Sequence, residues 1–236
     1  MDNNEKYSIG EDFTPQTEFG KKLDNFWYYN KWKILAIVFI LFVITVCLIQ
    51  CATQERYVVK IVYAGKMASS DLRAEGIKQA FSDIKPESIN GSVGFDIMEI
   101  YDNKYLQDVN NSVNGATSAN NYKTFGNLIV TGEYSLLIVD KWIYEDIKGS
   151  VGLRAINEVC GNTVYNSEDG FAVKFKDTDF YKANSAVFSG VSDDAVICLC
   201  IYSPYKSTMS CASNNQDAEY TAAVEIFKSV LNYKIN

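Results

Sequence analysis

Histidine is absent from all 236 positions of this chain. Histidine is the commonest general base, the commonest protein ligand of metals and the usual partner of a nucleophilic serine or cysteine. Its absence argues against most hydrolase mechanisms. We therefore expect no enzymatic activity, no cofactor and no metal site.

The chain also lacks a basic stripe or a run of arginines. Beyond the first 33 residues it carries 17 basic and 23 acidic residues, a net charge of 17 − 23 = −6. A surface of that sign does not attract a phosphate backbone, so we do not expect nucleic acid as a partner.

One long segment, residues 34–52, contains no charged residue. As a helix its length is about 28 Å, which matches the roughly 30 Å hydrocarbon core of a bilayer. Aromatic and lysine side chains in residues 26–33 suit the headgroup level. Because a long polar stretch comes first, a cleaved secretory signal is disfavoured. We expect a transmembrane helix at Ile34 to Ala52, after a disordered cytoplasmic tail (residues 1–25) and an interfacial segment (residues 26–33).

The orientation follows from basic residues near this segment. Four lysines precede it closely (Lys21, Lys22, Lys31 and Lys33), and three basic residues follow it, partly within a predicted strand. Cytoplasmic flanks carry the excess of lysine and arginine. We expect a single-pass protein of the cell membrane with a cytoplasmic N-terminus and one extracytoplasmic domain, residues 54–236.

Strand and helix patterns alternate along residues 54–236. Strands are predicted at residues 57–63, 93–100, 136–139, 171–176 and 195–202. Helices are predicted from residues 69–71 to Pro86, at 122–132, at 141–148, and at 220–231. Residues 101–121 predict a loop or a weak helix, since they are rich in Asn, Ser and Gly. The pattern is typical of a layered α/β domain with a largely parallel or mixed sheet and flanking helices.

Ligands of open α/β sheets bind beyond the carboxyl ends of the strands. The candidate ligand-binding residues at those positions are Lys66, Ser69, Asp102, Asp140, Lys141 and Trp142. Asp140 equally fits the N-cap of the following helix, and Trp142 equally fits the core.

Four cysteines lie in the predicted extracytoplasmic domain. Cys200 and Cys211 would close a short disulfide loop in an oxidising compartment. Alternatively, Cys198 and Cys200 share one face of a strand and are small buried apolar side chains. A zinc site is disfavoured, because the C-x-C pair has neither a second cysteine pair nor a histidine to complete the ligand set.

Two further patterns carry weak signals. Asp177, Asp179, Asp193 and Asp194 offer carboxylates for a cation, but their loops lack the glycine and glutamate of an EF-hand, so turns or a solvated face are favoured. Ser203 and Lys206 form S-x-x-K without the K-T-G triplet of penicillin-recognising enzymes.

Residues 122–158 resemble part of the extracellular solute-binding proteins of ABC transporters. A helix ends at Gly132, a buried strand ends before Asp140, and Gly152, Leu153 and Ile156 follow. The resemblance implies one lobe of a type II periplasmic-binding-protein-like fold. With its Asp177-Thr178-Asp179-Phe180 motif, the whole chain is also similar to single-span, membrane-anchored proteins of Gram-positive bacteria.

These observations predict a membrane-anchored extracytoplasmic binding module, an accessory to a transporter or envelope complex. Its partners would be a membrane-complex protein and a small-molecule or peptide ligand. One alternative is a structural or assembly protein whose aromatic side chains, drawn from 16 Tyr and 13 Phe, contact a protein partner. A second alternative is a serine hydrolase that uses Ser203 and Lys206.

Overall fold

The computed structural model describes residues 17–53, 57–67, 71–102, 112–161, 167, 169–201 and 216–235. The chain divides into two compact units, residues 1–55 and 56–236. The helices are α1 (Glu18–Thr53), α2 (Asp71–Asp83), α3 (Ser112–Val130), α4 (Lys141–Ile147), α5 (Ile156–Cys160), α6 (Asp179–Ala183) and α7 (Gln216–Leu231). The strands are β1 (Tyr57–Gly65), β2 (Ser92–Glu99), β3 (Leu136–Val139), β4 (Ala172–Lys174) and β5 (Val196–Leu199).

The described part of the first unit is helix α1, which is long and apolar enough to cross a membrane. Its 36 residues make a helix of about 54 Å, longer than a roughly 30 Å hydrocarbon core. Most of its large apolar side chains are exposed. The hydroxyl of Thr45 donates to the carbonyl of Leu41 at 2.8 Å, so this polar group is satisfied within the helix.

The second unit is built on a mixed five-stranded sheet in the order β2-β1-β3-β5-β4. Strand β1 lies parallel to both β2 and β3, and β5 lies antiparallel to both β3 and β4. The α/β class with a mixed sheet and flanking helices is thus confirmed. Strand β1 lies between β2 and β3. The chain therefore adds β2 on one side of β1 and later adds β3 on the other side.

Both faces of the sheet are buried, each by its own cluster of apolar side chains. Alternate residues of β3 contribute to the two clusters, Leu136 to the first and Leu137 to the second. The first cluster includes Phe81 of α2 and Phe227 of α7. The second includes Phe125 of α3 and residues of α4. A strand buried on both faces explains the continuous apolar sequence of β3.

Gly132 ends helix α3 as predicted. Its φ is +76°, a conformation that favours glycine. The N–H of Gly132 donates to the carbonyl of Ile129, and that of Glu133 to the carbonyl of Leu128, both at 2.9 Å. This is the Schellman motif, which satisfies backbone carbonyls at the end of a helix. The chain then continues into β3.

Helix α3 begins ten residues earlier than the predicted helix, at Ser112. Polar residues of the segment predicted as a loop or a weak helix make tertiary contacts instead. The Ser118 hydroxyl accepts the N–H of Tyr101 at 2.8 Å, and the Asn121 amide donates to the carbonyl of Glu99 at 2.9 Å. These bonds attach the helix to the end of β2 and outweigh weak helix propensity.

Two further features differ from what the sequence patterns indicate. Strand β4 stops at Lys174, and residues 175–177 form a 3-10 turn, because Thr178 caps α6 by accepting the N–H of Tyr181 at 3.1 Å. Leu72, which fits the helical apolar spacing, is 90 % exposed, since it lies in the first turn of α2, before the part that packs on the sheet.

Candidate functional site

The carboxyl ends of β1, β2 and β3 lie at one edge of the sheet, because these strands are parallel. Lys66 directly follows β1, Asp102 follows β2, and Asp140 and Lys141 follow β3. The chain leaves β1 toward the first face and β3 toward the second. Such a reversal opens a crevice in many α/β proteins, and ligands bind there.

Asp140 fills this crevice with its own carboxylate. The Tyr63 hydroxyl donates to Oδ1 at 2.6 Å, and the backbone N–H of Lys66 donates to Oδ2 at 2.9 Å. Asp140 occupies the N-cap position of α4, but its side chain makes no capping bond. Both carboxylate oxygens are therefore engaged by β1 and its loop, and Asp140 connects neighbouring strand ends. We call this contact the Tyr63–Asp140 pair.

The close approach of β1 to Asp140 depends on Gly65. A Cβ at this position would lie 2.3 Å from Oδ1 of Asp140 and 2.6 Å from the Tyr63 hydroxyl. Both distances are too short for non-bonded atoms, so a side chain here would force the pair apart. The position therefore requires glycine, because there is no room for a side chain.

Burial sets the protonation of the Tyr63–Asp140 pair. Desolvation raises the pKa of Tyr63, and the neighbouring Asp140 raises it further. Desolvation also raises the pKa of Asp140, while the hydrogen bonds from Tyr63 and from the Lys66 N–H oppose that rise. The N–H of Ser192 donates to the Tyr63 oxygen at 3.3 Å. Tyr63 stays protonated at neutral pH and acts as a fixed donor.

The other residues predicted to bind a ligand differ in their exposure to solvent and in their contacts. Lys66 and Asp102 are exposed, whereas Trp142 is half-buried and stacks on Tyr122 with ring centres 6.0 Å apart. Lys141 lines a cleft at the same edge of the sheet. Ser69 lies outside the described residues.

This carboxyl-edge cleft lies between α4 and the adjoining ends of β4 and β5, and its volume is about 160 Å³. The apolar lining residues are Tyr144, Ala172 and Val196; Tyr144 and Ala172 are buried, so we call these three residues its floor. Its rim carries two lysines and four carboxylates: Lys141, Lys174, Glu145, Asp169, Asp177 and Asp194. A concave surface with an apolar floor and charged rim is suited to binding.

Antiparallel pairing explains why most of these residues were not predicted together. Val196 at the start of β5 pairs with Val139 at the end of β3 and with Lys174 at the end of β4. The loops beside those positions thus meet α4. Of the four aspartates considered as cation ligands, Asp177 and Asp194 reach the cleft. The sequence contains the residues but no signal for this register.

Tyr144 and Asp169 connect α4 to the entrance of β4. The Tyr144 hydroxyl donates to Oδ2 of Asp169 at 2.6 Å. Burial alone would raise the pKa of Asp169, but the hydrogen bonds from Tyr144 and from the Phe171 N–H lower it below its usual value. Asp169 is therefore an ionised group at the cleft.

A second groove, of about 130 Å³, lies at the opposite edge beside β1 and β3. Lys60 and Glu133, which line it, pair with each other. Two of its charged groups thus neutralise each other, and it is a weaker candidate than the carboxyl-edge cleft.

Cys198 and Cys200 are buried in the second apolar cluster, on the same face of the sheet. Neither forms a disulfide with another described residue, and burial raises the pKa of the Cys200 thiol to about 12. Cys211 lies outside the described residues, so its pairing with Cys200 stays a prediction, as does the role of Ser203 and Lys206. No group of metal-ligating side chains occurs among the residues that the structure describes.

Comparison with known proteins found no matching family model, no similar curated protein and no matching solved structure. The functional interpretation therefore rests on the geometry of the chain.

We expect Asp140→Ala to lower the free energy of unfolding by about 2–4 kcal/mol, because the buried Tyr63 hydroxyl and the Lys66 N–H lose their acceptor. Denaturant titration of the full chain in detergent micelles, followed by near-UV circular dichroism, measures this. Asp146→Ala is the control, since Asp146 is exposed and accepts from the half-buried Tyr122. Its expected loss is about 0.5 kcal/mol or less. Equal losses would contradict a special role for Asp140.

The stability contributed by Asp140 is expected to fall with rising pH. Its folded pKa is raised above 3.8, so the contribution is complete below the unfolded pKa and is lost as pH rises through the folded pKa. The free energy of unfolding of the native chain, minus that of Asp140→Asn, should decrease as the pH rises above 3.8. A constant difference would show that the hydrogen bonds cancel the effect of desolvation on the Asp140 pKa, and an increasing difference would show that they outweigh it; either result would contradict the prediction.

Proposed function

We propose that this protein is a membrane-anchored binding module. In this proposal α1 crosses the membrane once, the N-terminus is cytoplasmic, and residues 54–236 lie outside, as an accessory to a transporter or envelope complex. The observation that carries the binding function is the carboxyl-edge cleft, which lies next to the strand end joined by the Tyr63–Asp140 pair.

The anchoring half of the proposal is supported by α1. Its apolar side chains are exposed along residues 35–49, and no charge interrupts residues 34–52. In water this surface would be unfavourable, whereas hydrocarbon solvates it. The lysines before the segment favour a cytoplasmic N-terminus.

Binding without catalysis is supported by the side chains at the cleft. The Tyr144 hydroxyl is occupied by Asp169, the Asp194 carboxylate accepts from the Ser192 hydroxyl at 2.5 Å, and the chain contains no histidine. A nucleophile next to a general base is not found among the described lining residues.

An assembly role through exposed aromatic side chains has less support. Among the described residues of the second unit, Phe171 is the one exposed aromatic side chain, at 40 % exposure. The tyrosines there are buried or half-buried. They stabilise the domain and offer little surface to a partner.

We expect the full chain to remain in the membrane pellet after carbonate extraction. Protease added to intact cells should remove residues 54–236 and leave the N-terminal tail. The reason is the uncharged helix at residues 34–52, which is costly to expose to water. A tag at each terminus reports both results. Recovery in the soluble fraction, or protection of the C-terminal tag in intact cells, would contradict the proposal.

We expect a thermal-shift screen of small cations, anions, sugars and short peptides to include compounds that raise the Tm of the full chain in micelles. The variant Val196→Phe narrows the cleft and should abolish that shift. Val130→Phe is the matched control, because Val130 is 55 % exposed at the end of α3 and is not a lining residue. A screen without any stabilising compound, or equal shifts in Val196→Phe, would contradict binding at this cleft.

A further inference from the structure

We propose that α1 binds a second copy of this chain, forming a parallel dimer through one face of its N-terminal half. This inference goes beyond the binding function and rests on the anchoring half of the proposed function, because it uses a bilayer around residues 34–52. It follows from the length of α1, from the apolar face at its start, and from the orientation that a shared membrane gives to two copies.

Helix α1 extends well outside the hydrocarbon. It begins at Glu18, and the Thr17 hydroxyl caps it by accepting the N–H of Gly20 at 3.2 Å. Residues 18–25, which the sequence predicted as part of a disordered tail, are therefore helical. Residues 18–33 lengthen the helix by about 24 Å before Ile34, whereas the headgroup layer on each side of a bilayer is only about 5–8 Å thick.

One face of this extension is apolar. Phe19, Leu23 and Phe26 follow each other at spacings of four and three residues, which places them in one row along a helix. Their exposed fractions are 76 %, 59 % and 56 %. Asn25, on the opposite side of the helix, is polar and exposed. An apolar row of this kind is unfavourable in water and is stabilised by contact with a partner.

Lipid does not reach this row when α1 continues straight out of the membrane. Phe26 and Phe19 lie about 12 Å and about 22 Å from Ile34 along the helix axis, beyond the headgroups. A tilt of about 20° lowers these heights by less than about a tenth. No proline lies between residues 18 and 53, so α1 lacks the commonest cause of a sharp bend that would lay the row on the membrane surface.

A second copy fits the row because the membrane aligns it. Copies inserted in the same direction hold their α1 helices parallel and at the same height, so that Leu23 meets its counterpart. Such a row is self-complementary, as a two-fold interface requires, and insertion already removes part of the rotational freedom that association costs. Asn30 is the next residue of the row, and a polar residue there favours parallel pairs in register. Lys22 and Trp27 flank the row at positions that face each other across a parallel pair, where a cation–π contact forms.

The first experiment measures the monomer–dimer equilibrium of the full chain in micelles by sedimentation equilibrium. We expect the native chain to dimerise and Leu23→Glu to weaken the dimer at least about tenfold, since two buried leucines are replaced by charges. Asn25→Glu is the matched control, because it adds a similar negative charge on the opposite side of the helix. Its dissociation constant should equal that of the native chain. Glutamate is a good helix former, so both variants should keep the helix content seen by far-UV circular dichroism.

The second experiment tests the parallel arrangement in isolated cell membranes, with copper phenanthroline and oxygen as the oxidant. Leu23→Cys should form a covalent dimer, because the same residue of two parallel helices meets across a two-fold axis. Asn25→Cys should yield no more covalent dimer than the native chain, whose own cysteines set the baseline.

Several outcomes would overturn the inference. These are a native chain that is monomeric in micelles, equal weakening of the dimer by both glutamate variants, a dimer that Leu23→Glu leaves intact, and equal cross-linking of both cysteine variants. A monomer that stays in the membrane pellet after carbonate extraction would refute the dimer and leave the anchoring standing. Recovery of the chain in the soluble fraction would refute both.

Discussion

The hydrogen bond between Tyr63 and Asp140 fixes the junction of the two central parallel strands. At this point an α/β sheet opens a crevice for ligands, but here the carboxylate of Asp140 occupies it and accepts the N–H of Lys66 at 2.9 Å. The position that a bound anion would take in such a fold is held by a side chain of the chain itself. The available concave surface therefore lies one strand away, beside β4 and β5.

Much of the fold is predictable from the sequence, because its central elements have strong local signals. The apolar run at Leu136–Val139 marks a strand buried on both faces, and Gly132 marks the end of the helix before it. Prediction was weaker where tertiary contacts replace local preference. Ser118 and Asn121 appear typical of a loop in the sequence, yet their side chains attach α3 to the end of β2.

The candidate site was only partly predictable, for a related reason. Strand ends are visible in a sequence, so Lys141 could be placed at the carboxyl edge. The antiparallel register of β5 is not visible, and it alone brings Asp177 and Asp194 near α4. Asp140 illustrates the converse. Its position was predicted, but the choice between a cap, a ligand contact and an internal hydrogen bond depends on Tyr63, which is 77 residues away in sequence.

The second face of the sheet has a consequence for the chemistry of its sulfur atoms. Cys198 and Cys200 are enclosed by aromatic and aliphatic side chains, and burial raises the pKa of both thiols. Thiolates are the species that react with oxidants and exchange disulfides. As long as β5 stays in place, these sulfur atoms are withheld from redox reactions of the surroundings, and separation of the sheet would be the event that makes them reactive.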